Sequence, residues 1–279
     1  EIFPKHDDFA VRNFGLPGMI GALGACFGKV VTMDSPKARP PGEFQWEATL
    51  WHEIAHVVTL NLSKQRLPRW LSEGISEYEQ TLHRPEWDRA MQVDFAMRLN
   101  AGETLTLEDL EAAFMDPRTI SLAYFQASLL VEHIVDQHGQ EGLQRFVKVF
   151  GDGVTVQEAL RQALGTSFDE LQVTFDARMT REFGALQAVL RAPEGEFVRL
   201  PVSDLEVLAA ANPRSFPVQL AYAHALRRLG QMDEAFGAFE RAGELLPLAT
   251  GDDSPNMQIA TIALGRGDHQ RAIDALQAV

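Results

Sequence analysis

The chain has 279 residues, 46% hydrophobic and 23% charged, which suits about two globular domains and excludes disordered, collagen-like and low-complexity organisation. Its net charge of −14 at pH 7 excludes the basic footprint of a general nucleic-acid binder, and no apolar run reaches the length of a membrane span. The one cysteine, Cys26, excludes an internal disulfide framework and a cysteine-built zinc finger, and leaves the compartment, cytoplasmic or periplasmic, open.

Residues 1–43 read as strand and loop. Glu1 opens the chain without a methionine inside a strand-like run, which reads as a piece of a longer protein. Phe9-Ala10-Val11 is a short apolar piece, Gly15-Leu16-Pro17-Gly18 a turn, and Ala25 to Met33 a strand rich in β-formers. Glycines 15, 18, 21, 24 and 28 lack the Gly-Lys-Ser/Thr of a phosphate loop, so turns and close strand packing explain them better. Ser35 to Gly42, with three prolines, reads as a loop. From Gln45 the period becomes helical, with helices expected near 45–62, 69–83, 86–100, 106–115, 121–138, 140–150, 155–164 and 167–183. Residues 192–202 read as a linker between a first domain (1–191) and an all-helical tail (203–279).

The tail carries a repeat. Tyr222, Ala223, Leu226, Gly230, Ala235, Phe239, Ala242 and Pro247 fall at the offsets of a tetratricopeptide unit, and Ala260, Ala263, Gly267, Ala272 and Leu276 repeat them further along. Residues 203–213 resemble the second half of a preceding unit. The small residues let paired helices approach, and Phe239 and Leu276 are expected to fill the groove between them.

Chemistry concentrates in His52-Glu53-Ile54-Ala55-His56. On a helix, residues i and i+4 share a face, so His52 and His56 can offer two imidazole nitrogens to one Zn²⁺, with Glu53 beside them as general base for a metal-activated water. The five-residue pattern alone also occurs by chance on amphipathic helices. A catalytic zinc wants a third protein ligand, and Glu73, on a second helix after the turn at Asn61 to Pro68, can return to the metal. Glu77, four residues on, can accept the spare N–H of a ligand histidine.

With Trp70-Leu71-Ser72-Glu73-Gly74 and Glu77-Tyr78 added, the pattern resembles the gluzincin metallopeptidases, the group of thermolysin and aminopeptidase N, and most closely the bacterial peptidase-MA-like domains found with tetratricopeptide repeats. The Ala123–Ser128 and Leu164–Leu171 segments add to the resemblance, which covers about residues 1–183 and 203–279. It implies an α+β fold: a small N-terminal mixed sheet and a helical zincin-like lobe, followed by the tetratricopeptide-like tail. It implies zinc as cofactor and a peptide or protein substrate, added as a strand beside an edge strand at Lys29–Met33. It also implies an oxyanion donor from the helical lobe. Tyr124 is the candidate, with a packed tyrosine whose hydroxyl is satisfied as the other reading. No Gly-x-Met-Glu-Asn segment precedes His52, so an endopeptidase is expected over an aminopeptidase.

The remaining candidates read as structural. His133 and His138 suit surface or helix-end positions, His83 a helix end, and His6, His224 and His269 show no partner in the sequence. Cys26 reads as a small strand hydrophobe, and Trp51 and Trp70 as helix-packing core, with Trp46 and Trp87 in the same region. The competing function is an interaction protein whose zinc site is structural or relict and whose repeats bind a protein partner.

Overall fold

The structure, a computed structural model, describes residues 1–15, 23–40, 44–85 and 89–277. Gly18, Gly21, Gly42 and Trp87 lie outside the described residues. The fold is α+β: a small mixed sheet near the N-terminus and a bulk of helices. The chain separates into two compact units, Glu1–Asp88 with Leu105–Arg178, and Arg89–Thr104 with Met179–Val279.

The first unit opens with β1 (Ile2–Phe3), α1 (His6–Phe14), β2 (Gly24–Cys26) and β3 (Val31–Asp34). Helix α1 replaces the strand and loop expected there. Phe9 and Ala10 are fully buried, Phe9 meets Phe3 and Phe14 edge-on at 5.8 Å, and Thr32 donates to the Asn13 side chain. Asp7 and Asp8 suit the helix N-terminus, and Gly15 closes the helix in the left-handed region at φ 72°.

The single strand read from Ala25 to Met33 is a hairpin, turned at Phe27–Val30 around Gly28 at φ 74°. Strand order is β1-β3-β2, with β1 parallel and β2 antiparallel to β3; Ile2 lies opposite Met33, and Ala25 opposite Thr32. Lys29–Met33 is therefore not the edge. β3 is the central strand because β1 pairs along its far side, and the edge facing the helices is β2.

Helix α2 (Trp46–Leu62) packs on β2 and β3 and on α3 (Arg69–His83). The turn between the two helices puts Lys64 (φ 52°) and Gln65 (φ 62°) in the left-handed region, unusual for residues with a Cβ. Lys64 Nζ (3.2 Å) and Arg66 Nη1 (2.9 Å) both donate to the Gly151 carbonyl and hold it there. After α4 (Arg89–Ala101), which belongs to the second unit, come α5 (Leu110–Ala113) and the long α6 (Ile120–Val149). Gly139 breaks the helical geometry of α6 at φ 71°, the boundary the sequence pattern places between 121–138 and 140–150. Helix α3 lies so close to α6 that a Cβ on Gly74 would stand 2.7 Å from the Ala127 carbonyl oxygen. Trp70, Leu71, Leu130, Ile134 and Phe146 are buried in this unit, each apolar side chain contributing about 1.5–3 kcal/mol. Then follow α7 (Val156–Ala159), capped by a Thr155–Glu158 box, a π turn at Leu160–Leu164 and α8 (Phe168–Leu190).

Three side chains differ from the sequence reading. Trp51 is not core: it is 41% exposed and stacks on His83 at 4.3 Å, because the buried face of α2 runs through Ala48, His52, Glu53, His56 and Thr59. His133 is buried, not superficial, and bonds Thr174 at 2.9 Å. His6 has partners, Asp34 at 2.8 Å and Arg39 at 3.1 Å.

The second unit comprises α4, the later turns of α8, α9 (Val202–Ala211), α10 (Phe216–Arg228), α11 (Met232–Leu245), α12 (Pro255–Gly265) and α13 (His269–Gln277). Residues 191–201 hold neither helix nor strand. From α9 onward each helix packs on the next. Ala223, Leu226, Ala235, Ala238, Phe239, Ile259, Ala260, Ala263 and Ala272 form one buried cluster. The small side chains bring the helix backbones together and Phe239 fills the space they leave. Leu276 does not repeat that role: it is 45% exposed, since α13 packs on α12 with that side chain turned outward.

Candidate metal centre

Helix α2 carries His52, Glu53 and His56, and α3 carries Glu73 and Glu77. Because α3 runs back along α2, the successive turns meet in pairs: Gln80 and Glu77 beside His52, Ser72 beside His56. His52 Nε2 lies 3.0 Å from His56 Nε2 and 3.1 Å from Glu73 Oε2, and the last two atoms are 3.3 Å apart. A tetrahedral ion bound at about 2.0–2.1 Å sets its ligand atoms about 3.3–3.4 Å from one another. The triangle is close to that size, and two imidazoles with one carboxylate form a donor set that catalytic zinc accepts. The residues therefore fit a metal ion.

The outer nitrogens of the two imidazoles are held as well. His52 Nδ1 faces Glu77 Oε1 at 3.2 Å and the Gln80 amide at 2.9 Å. His56 Nδ1 faces Ser72 Oγ at 2.9 Å and Ser76 Oγ at 3.3 Å. Burial opposes charge on the His52 imidazole, but its bonds to Glu73 and Glu77 prevail and push its pKa up to about 10. Burial likewise opposes charge on Glu73, and the bonds from His52 and His56 prevail, holding its carboxyl well below the usual range. The same carboxylates that retain a proton on His52 favour a cation at that point.

Glu53 faces the cleft from the adjoining position on α2. It is 6% exposed, and its Oε2 is buried with no hydrogen-bond partner among the described residues. Burial pushes its pKa up, and the nearby His52 and His56 pull it partly back. Such an atom is costly unless something enters the site to bond it. The edge strand β2 presses on this residue: a Cβ on Gly24 would stand 2.7 Å from Glu53 Oε1.

Tyr124 closes another wall, its ring 6.3 Å from that of His52 and edge-on to Phe114 at 5.0 Å. Burial and the charge of Glu73 push its hydroxyl pKa up, and a bond from Arg69 acts the other way. Arg69 also lies 3.6 Å from Glu73 Oε1 and stacks over Phe114. Glu111 receives the backbone N–H groups of Arg69 and Trp70 at 3.1 and 3.0 Å, capping α3, whose own N-cap is Pro68. His52, Glu53, His56, Arg69, Glu73 and Tyr124 are among the residues that line a cleft of about 1170 Å³ reaching from β2 to the start of α6. Cys26 lies in its wall on β2, its thiol pKa pushed up by burial.

The structure thus brings together His52, Glu53, His56, Glu73, Glu77 and Tyr124 in one cleft. Sequence reasoning missed Ser72, Ser76, Gln80, Arg69 and Glu111. The first three were findable: positions 72, 76 and 80 repeat at i+4 on α3, one residue from the stripe of Glu73 and Glu77.

Comparison with known families defines the class. Residues 40–180, just over half of the chain, match the model of the Peptidase MA superfamily, and they include both helices of the metal centre, the cleft wall at Tyr124 and the whole of α6. The chain belongs to the Peptidase MA superfamily, and its function is peptidase-like, with a peptide or protein as substrate. Comparisons with curated proteins and with solved structures gave no significant match.

Proposed function

We propose that this chain is a zinc-dependent peptidase, an endopeptidase of the gluzincin type, with His52, His56 and Glu73 as zinc ligands. The observation that carries the reading is the convergence of three donor atoms 3.0–3.3 Å apart on the floor of an open cleft, beside a buried carboxylate oxygen that lacks a partner. When bound, zinc polarises the scissile carbonyl and makes water a better nucleophile. Glu53 takes the proton of the attacking water on Oε2 and passes it to the leaving amine; its raised pKa brings it nearer the pH of use. Glu77 accepts the Nδ1 proton of His52 and so turns the Nε2 lone pair inward. Tyr124 keeps its proton and can donate it to the oxygen that gains charge in the transition state. Because β2 is the sheet edge in the cleft, an extended substrate is expected to pair with Gly24–Cys26.

The helices of 203–279 complete the proposal as tetratricopeptide-like repeats, a separate domain that recruits a protein partner or the substrate. The buried alanines around Phe239 support that role. The deciding experiment is zinc content of the purified protein by elemental analysis, wild type beside Glu73→Ala, followed by a peptide-library digest. About one zinc per chain, lost in the variant, with cleavage by the wild type alone, is the expected result. No zinc in either protein, after reconstitution, removes the reading and leaves the repeats as the working part.

A further inference from the structure

Resting on the zinc reading above, we propose that Ser72 and Ser76 are positioning residues for His56: a pair of buried hydroxyls that accept its Nδ1 proton and so present the Nε2 lone pair to the ion. The two histidines are not supported alike. His52 Nδ1 has a carboxylate, Glu77, at 3.2 Å, whereas the partners given to His56 Nδ1 among the described residues are Ser72 Oγ at 2.9 Å and Ser76 Oγ at 3.3 Å. Both serines sit on α3 one turn apart, and the helix that delivers Glu73 delivers them in register with it. Ser76 is fully buried, and Ser72 and His56 nearly so at the wall of the cleft.

A neutral imidazole has one donor nitrogen and one acceptor nitrogen. At His52 Nδ1 the Glu77 carboxylate can only accept, while the Gln80 amide at 2.9 Å can present either its nitrogen or its oxygen. A hydroxyl can accept or donate, so the serine pair satisfies His56 Nδ1 in either tautomer and leaves no buried orphan when the ion arrives. A hydroxyl also raises ligand basicity less than a carboxylate does, so His56 is the weaker donor of the pair and its hold depends on these hydroxyls, chiefly the nearer Ser72.

The test is zinc affinity, measured by competition with a chromophoric chelator on the full chain, with circular dichroism on the same samples as the check on folding. Ser72→Ala with Ser76→Ala is expected to weaken zinc binding about 10–100-fold. Ser72→Ala alone is expected to account for most of that loss, and Ser72→Thr, which keeps the hydroxyl, to bind like wild type. Ser128→Ala removes a buried hydroxyl that bonds the Phe125 carbonyl and is expected to leave affinity unchanged. In the zinc-loaded wild type, ¹⁵N spectra are expected to place the His56 proton on Nδ1. If the wild type binds zinc and the double variant binds it as tightly, the serine proposal is overturned while the zinc reading stands. If Ser72→Thr loses as much as Ser72→Ala, packing and not the hydroxyl is responsible, and the proposal is equally overturned. A wild type that binds no zinc removes the reading on which the proposal rests. Should the double variant fail to fold, the Ser72→Ala and Ser72→Thr pair decides by the same criterion.

Discussion

The α2–α3 pair and the α10–α13 array are both packed helices, yet they bury opposite kinds of residue. Between α2 and α3 lie two imidazoles, carboxylates and two serines, bonded to one another except at Glu53 Oε2. Among α10–α13 the main buried cluster is alanine, leucine and isoleucine around one phenylalanine, while the buried Gln219 and Gln258 lie outside it and bond backbone carbonyls. The first arrangement has geometric precision and a desolvation cost that its partners must offset. The cluster around Phe239 is apolar and best tolerates changes that conserve volume and shape.

The sharpest way to break that contrast is to alter one residue in each region and look for effects that do not cross. Glu53→Gln is expected to lower peptide hydrolysis by about 10²–10⁴-fold with zinc stoichiometry and melting temperature unchanged, as read by peptide turnover and calorimetry. Phe239→Ala should do the converse, destabilising the second unit by about 3–5 kcal/mol in chemical denaturation while zinc affinity stays put. Gly74→Ala tests a residue next to a ligand with no polar role: its Cβ meets the Ala127 backbone, so about 1–3 kcal/mol of stability should be lost, together with zinc affinity as Glu73 is displaced.

The two regions should also fail at opposite ends of the pH scale. His52 is raised from 6.5 to about 10, so in chelator-treated protein its contribution is fully present below pH 6.5 and is lost as pH rises through about 10. His224, packed edge-on to Phe239, is lowered by burial and by Arg227. Its contribution is present above pH 6.5 and is lost as pH falls below that value. Hydrogen exchange at pH 5.5 and pH 9.5, followed by region, should show α10–α11 loosening first in acid and α2–α3 first in alkali. The smallest effect concerns the turn between the metal helices. Gln65→Gly relieves a left-handed residue and is expected to stabilise by up to about 1 kcal/mol, visible as a small rise in melting temperature.

The helices beyond Gln45 were legible because their 3.6 period is long and regular, and the break at Gly139 was legible because glycine tolerates φ 71°. Helix α1 was not, since its period rests on little more than Phe9, Ala10 and Phe14, a pattern too short to separate from strand and loop. The β2–β3 turn was hidden by Phe27 and Val30, which read as strand residues although both are exposed. Strand order was beyond reach: that β1 pairs on the far side of β3 depends on contacts thirty residues apart. The grouping of His52, His56, Glu73 and Glu77 was legible because each helix sets its own pair by local geometry. Glu111 was not, because what joins it to the cleft is a cap bond across 42 residues, whereas Arg69, four residues before Glu73, lies on the same stripe.

Glycine carries three separate instructions in this chain, and a saturation library would tell them apart. At Gly139 the space is open and only the backbone is restrictive, φ 71° with ψ 172°, a region essentially confined to glycine, so even asparagine should be rejected there. At Gly74 the neighbour is another main chain, which yields only if a helix moves. At Gly24 the neighbours are Thr49 and Glu53 themselves, so strand β2 and helix α2 occupy one shared volume. Any side chain there either evicts the carboxylate or pries the edge strand away. Position 24 is thus a gauge block between sheet and helix, and its tolerance in selection should track hydrolysis more closely than it tracks the yield of folded protein.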